Sequence, residues 1–262
     1  MRVILALVAL CASAAADPCR DAYPAPVEAS LRTVGGPRTP CAEKAFLFHV
    51  QGAATIDLPQ FYGSLGGAAM AGLRWPVYGV EWSIEANVVD WRFVQTASYT
   101  ADEFGLGPFV VGALLPRKLR LFGIEWAVAP AARLVLPPDT HVDVASMALE
   151  AAVHVGARPL HALAIQGSAV LLGWGALPTG GFLGRGAVQL SAGATLAPAR
   201  WLRGSLGLEA QTGWYGPGLD HILVRGGVSV GRRHQVTLGV LAPLAGAERT
   251  DLVLDVRWSA PL

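Results

Sequence analysis

The residues able to do chemistry in this chain are sparse and regularly placed. Glu81, Glu85, Glu125, Glu150, His154, Arg203, Glu209, Arg225, Asp255 and Arg257 sit inside otherwise apolar stretches. A charge in such a stretch needs water or a partner, because an isolated buried ion is strongly disfavoured. Pairing neighbouring segments as hairpins puts Glu209 beside Arg225, an expected ion pair, and brings Glu125 to the height of Glu150 across a loop near Pro137. His154 then lies one pleat beyond Glu150. Two carboxylates facing each other in a narrow polar space would make a cation-selective or proton-sharing constriction. The other reading has arginines of adjacent segments neutralising them in a filled interior, and the balance favours it.

Other chemistries have little support. There is no HExxH motif, no Cys/His cluster and no P-loop, and the glycine-rich stretches do not follow GxGxxG, so no metal or cofactor is expected. A Ser–His hydrolase would need a serine within reach of a histidine. His141 and His221 fall near long loops, His154 and His161 near the opposite end, and Ser146 and Ser168 look misplaced in height or face. The chain is therefore not expected to be an enzyme. Cys19 and Cys41 remain once Cys11 is lost with a leader, and in an oxidising compartment they are expected to pair.

The elements that must position these groups are strands. Val80, Trp82, Ile84, Ala86 and Val88 alternate with Glu81, Ser83, Glu85 and Asn87. Strand side chains repeat every two residues, so one face is apolar and the other polar. The pattern returns around 122–128, 147–156, 188–196, 202–211 and 251–258. Leu163–Leu172 is apolar on both faces, but its place between alternating segments favours a strand. Short connections near Pro76, Pro116–Lys118, Arg158–Pro159, Pro198–Arg200 and Arg232–Arg233 alternate with longer ones. That rhythm is an up-and-down antiparallel transmembrane β-barrel with tight periplasmic turns and larger external loops. About twelve strands are expected over 45–262, with ten as the alternative. They run roughly 45–56, 65–75, 79–91, 105–115, 119–130, 142–156, 160–173, 185–197, 201–213, 221–231, 235–242 and 250–260. The polar faces, with the ten residues above, should line the lumen.

Composition agrees with a lipid-solvated chain: 53% hydrophobic and only 15% charged residues. A net charge of +1 gives no field for nucleic acid. Residues 1–16 read as a signal peptide: Arg2, a short apolar run and Ala14–Ala16 before Asp17. Residues 17–44 read as a periplasmic segment stapled by the cysteines. Trp75, Tyr78, Trp201 and Trp258 fall near short-turn ends; Trp91, Trp174, Trp214 and Tyr215 fall near long-loop ends, as two aromatic girdles would. Trp82 and Trp126 depart by pointing outward nearer mid-strand. The short turns carry Arg117, Lys118, Arg120, Arg158, Arg200, Arg203, Arg232 and Arg233 without an acidic residue, which suits inner-leaflet headgroups or periplasmic partners.

On these patterns, over residues about 45–262, the chain resembles bacterial outer-membrane β-barrel proteins as a class. The resemblance implies outer-membrane lipids and the barrel-assembly machinery as partners. It departs at the end, where such chains close on an aromatic residue and this one runs Trp258-Ser259-Ala260-Pro261-Leu262. Enzymes of that architecture, an outer-membrane phospholipase and a lipid A deacylase, are similar in topology only. The reading favoured is a narrow porin-like channel for small solutes or ions; the alternative is a structural or partner-binding barrel with a filled lumen. A soluble β-barrel would share the alternation with its apolar face turned inward.

Overall fold

Alternation is realised as one antiparallel sheet in which each segment hydrogen-bonds to its neighbours in the chain. The computed structural model describes residues 19, 40–41, 47–57, 64–95, 100–136, 145–177, 183–213, 218–232, 234–246 and 252–261. Its strands are β1 (Leu47–Asp57), β2 (Ser64–Val77), β3 (Val80–Gln95), β4 (Thr100–Gly105), β5 (Phe109–Leu114), β6 (Arg117–Leu121) and β7 (Ile124–Leu136). They continue as β8 (Ala145–Leu160), β9 (Leu163–Leu177), β10 (Leu183–Ala199), β11 (Leu202–Thr212), β12 (Leu219–Gly231), β13 (Gln235–Ala245) and β14 (Leu252–Pro261).

β4, β5 and β6 form a single stave. β4 and β5 keep one register on β3, with Asp90 opposite Gly105 and Ala86 opposite Phe109. β5 and β6 keep one register on β7, with Leu114 opposite Ala131 and Arg117 opposite Val128. Pro108 and Pro116 interrupt the ladder because proline has no N–H to donate. Counting this stave once gives 12 staves. β1 pairs with both β2 and β14, and β2 with β3, so the chain of pairings returns to its start. The even count matches the expected twelve and leaves both ends of the sheet on the short-turn side.

Boundaries around β6 correct the sequence reading. Pro116-Arg117-Lys118 is not a turn, and strands at 105–115 and 119–130 are not what forms. The reversal comes later, at Phe122-Gly123, between the paired residues Leu121 and Ile124. Phe122 (φ 54°) and Gly123 (φ 76°) repeat the geometry of Tyr78 (φ 51°) and Gly79 (φ 76°). Positive φ at both central residues marks the type I′ hairpin, whose twist matches that of the strands it joins. Glycine accepts that conformation freely, while Tyr78 and Phe122 accept it with their rings in solvent.

The faces are inverted relative to a soluble barrel. Leu190, Leu206, Leu208 and Leu238 are each more than half exposed on the outer wall, at 57%, 63%, 52% and 57%. Glu150, His154, Glu209 and Arg225 are at most 1% exposed on the inner one. Such a surface is stable only against hydrocarbon, where every backbone polar group must be satisfied within the sheet. One extra residue in β3 shifts the register between Ala69 and Met70, leaving Val88 and Val89 both outward. This β-bulge breaks the period of that strand.

Candidate functional site: the lumen wall

Paired residues in an antiparallel sheet share a face, so the register lays the inner side chains out in rows. One row runs Ala129, His154, Ser168, Ser191, Glu209 and Leu223 across β7 to β12. The row nearer the long loops runs Ala131, Ala152, Val170, Gln189, Gln211 and His221. The row nearer the short turns runs Ala127, Gly156, Gln166, Gly193, Gly207 and Arg225.

Carboxylates on this wall are held by arginines. Arg225 donates from Nε to Glu209 Oε2 at 2.8 Å and again from Nη2, with both residues about 1% exposed. His221 Nε2 stands 3.5 Å from the other oxygen of Glu209, an ion pair only when the ring is protonated. Beside them Gln211 Nε2 donates to Asp220 at 3.3 Å. Arg133 grips Glu150 with two bonds, the one from Nε being 3.0 Å. Arg74 reaches Glu85 at 3.3 Å. Two-point guanidinium contacts suit desolvated sites because they satisfy both carboxylate oxygens or double the bond to one. The neutralised interior is what forms at these positions.

Glu125 is elsewhere. It pairs with Lys118 at 3.0 Å, both side chains well exposed, on the part of the β6–β7 hairpin nearest its turn. Glu150 faces Arg133, not Glu125, because the β7–β8 register is eight residues away from the one that would align the two acids. The expected pair of facing carboxylates does not occur. Glu81, Asp255, Arg203 and Arg257 hold inward positions on β3, β14 and β11, Glu81 and Asp255 being buried. Arg158, expected in a free turn, closes one: its guanidinium donates to the carbonyl of His161 at 2.9 Å.

His154 Nδ1 lies 2.8 Å from Ser168 Oγ, both buried. The β8–β9 register sets Ser168 directly across from His154. The pair faces the lumen, not lipid.

The cysteines are joined, Cys19 Sγ to Cys41 Sγ. Cys41 is 4% exposed, and neighbouring Pro40 packs against Gly156 on the inner wall. A Cβ at position 156 would come within 2.9 Å of the Pro40 ring, so the approach requires glycine. Pro40, next to the bridged Cys41, therefore lies against the inner wall at this point.

Aromatic placement follows height. Trp75 is directly opposite Trp82, next to the Tyr78-Gly79 turn. Trp126 is opposite Leu119, near Phe122. Both apparent departures thus belong to the short-turn rim. Trp201 forms a turn, and Trp258 stacks on His234 (5.8 Å, 10°) and meets Phe48 edge-on. At the other rim Trp91 lies against Phe104 at 6.2 Å and donates Nε1–H to Asp102 at 3.3 Å. Trp174 pairs with Ala148 near the long-loop end of β9; its side chain lies outside the described residues. Trp214, Tyr215, the expected leader at 1–16 and most of 17–44 lie outside the described residues.

No family model matches the chain, and no curated protein does. Solved structures do. An outer-membrane channel from Pseudomonas putida F1 superposes with a TM-score of 0.65 over 92% of this chain and all of that one, at 11% identity. The NanC porin gives 0.55 over 82% of this chain and all of its own, at 8% identity. The translocator domain of the autotransporter NalP from Neisseria meningitidis gives 0.50 over 84% and 89%, at 8% identity. The fold is that of the bacterial outer-membrane β-barrels.

Proposed function

We propose that the protein is a narrow channel-like barrel of the outer membrane, passing small solutes or ions and constricted at mid-lumen in the state described. The observation that carries this is the polar inner wall running through an apolar shell. Its charges are matched in place, so a small polar species meets hydrogen-bonding groups without a large fixed field. Likeness in fold to a channel and a porin supports the reading. Outer-membrane lipids and the barrel-assembly machinery are the partners this implies. A catalytic role has no support in the lumenal Ser168–His154 pair, because an enzyme acting on membrane lipid needs its nucleophile on the lipid side.

A second reading, a structural barrel with a filled lumen, is favoured by one observation. Val170, Gln189, Glu209, Leu223, Arg225 and Leu241 are all at most 1% exposed, although each faces inward. Planar-bilayer recording separates the two. Discrete ohmic steps from the refolded full chain are expected, larger after reduction of Cys19–Cys41. Silence in both redox states, from protein with heat-modifiable gel mobility, would leave the filled barrel.

A further inference from the structure

Between the arginine–carboxylate pairs, the inner wall of β9 and β10 carries neutral polar groups with nothing to bond. Gln166 and Gln189 are 7% and 1% exposed, and neither the oxygen nor the nitrogen of either amide has a hydrogen-bond partner among the described residues. Ser191 Oγ and Thr195 Oγ1 are likewise unpartnered there. Leaving a buried amide unbonded is costly, because its lost hydration is not replaced. Such groups gain partners only where water or a solute with matching donors and acceptors reaches them.

Their layout favours a solute. Gln189 is opposite Val170 and Gln166 is opposite Gly193, so the two amides bracket the Ser168–Ser191 pair from above and below. Four residues of strand separate their levels, about 13 Å at ~3.3 Å per residue. Gly193 and Gly207, in the same row as Gln166, add no side chains to the wall there. Immediately toward the long loops lies an apolar patch of Ala152, Val170, Leu172 and Ala187. The described carboxylates nearest the belt are already held: Glu209, beside Ser191, by Arg225, and Glu150 by Arg133.

We propose that this belt binds an uncharged polyhydroxylated solute of the size of one or two sugar rings. Its hydroxyls would bond to Gln166, Gln189, Ser191 and Thr195, and its C–H face would lie on the Val170–Leu172 patch. Amides serve this role because each offers both donors and acceptors, as a hydroxyl does. The inference names the solute class for the channel reading and rests on it, but binding is testable apart from transport.

The test is saturation-transfer-difference NMR on the detergent-solubilised full chain, using methyl glucoside and maltose against gluconate and glycine. Transfer to the neutral sugars alone is expected. Met at both positions, Gln166→Met with Gln189→Met, should weaken binding about tenfold or more, since two hydrogen-bonding groups are lost. Replacing unbonded amides by an apolar side chain of similar length should not harm folding, and heat-modifiable mobility checks that; Ser191→Ala, a smaller change, should weaken binding less. No transfer to wild type, transfer equal for gluconate, or binding unaffected by the double substitution would overturn the proposal and leave a merely hydrated belt. A barrel that conducts salt but binds no sugar would lose only this inference. One that binds sugar but never conducts would lose the channel reading instead.

Discussion

Arg225 and Glu209 share a position from which both water and lipid are excluded. Two desolvated ions stabilise a fold little in total, but removing one strands the other, at about 3–5 kcal/mol. Arg225→Met should therefore lower the urea-unfolding free energy in detergent by that order, and Arg225→Met with Glu209→Gln should recover most of it. A different cost is stored at the turns. Phe122 holds a positive φ that a non-glycine residue adopts at about 1–2 kcal/mol. Phe122→Asn, a residue suited to the first position of a type I′ turn, should raise stability by about 0.5–1 kcal/mol, read from the same unfolding curves. Which residues belong to the lumen was legible from parity alone for Glu85, Glu209 and Arg225. What parity could not give was height. Glu125 has the inward parity, yet it sits out on the hairpin beside Lys118, because a few residues of register decide whether an inward position lies within the barrel or beyond it.

At the scale of the strand, the period of two carries the whole membrane argument. Leu190 and Gln189 are adjacent, and one is 57% exposed while the other is 1%. Leu190→Arg should cost about 2–4 kcal/mol in lipid, where the outer wall meets hydrocarbon near mid-span. The same substitution in a soluble barrel would have placed the charge in a core and abolished folding altogether; unfolding in vesicles distinguishes the two. Strand existence was readable from residues such as Val80 to Val88, whose alternation survives until the bulge at the end of that run. Strand ends were less readable. Proline usually signals a break, but here Pro116 only interrupts the ladder of a stave that continues to Leu121. The true turn, Phe122-Gly123, has an aromatic where asparagine or aspartate would have announced it.

For the molecule as a whole, the lumen is where sequence is least informative, since contacts across or into it obey no local period. The approach of Pro40 to Gly156 joins residues with no pattern in common. Gly156→Val should displace the stapled segment, and Cys19→Ser with Cys41→Ser should release it. Each is expected to increase single-channel conductance in bilayers relative to wild type, with no change in heat-modifiable mobility. Equal conductance would mean that Pro40 does not obstruct the path.

The pairing of β1 with β14 has a consequence for how such a chain comes to exist. Leu47 to Ile56 finds its second neighbour only in residues 252–261, far along the chain. Roughly 200 residues must be threaded out and kept from clumping before that seam can be stitched, an entropic burden that grows only slowly with the length between the ends. Until then two rows of unmet amides and carbonyls stand open, each a template for the wrong strand. Maturation is thus cooperative across this long separation, and deleting residues 252–261 should yield not a slightly weaker cylinder but an insoluble one.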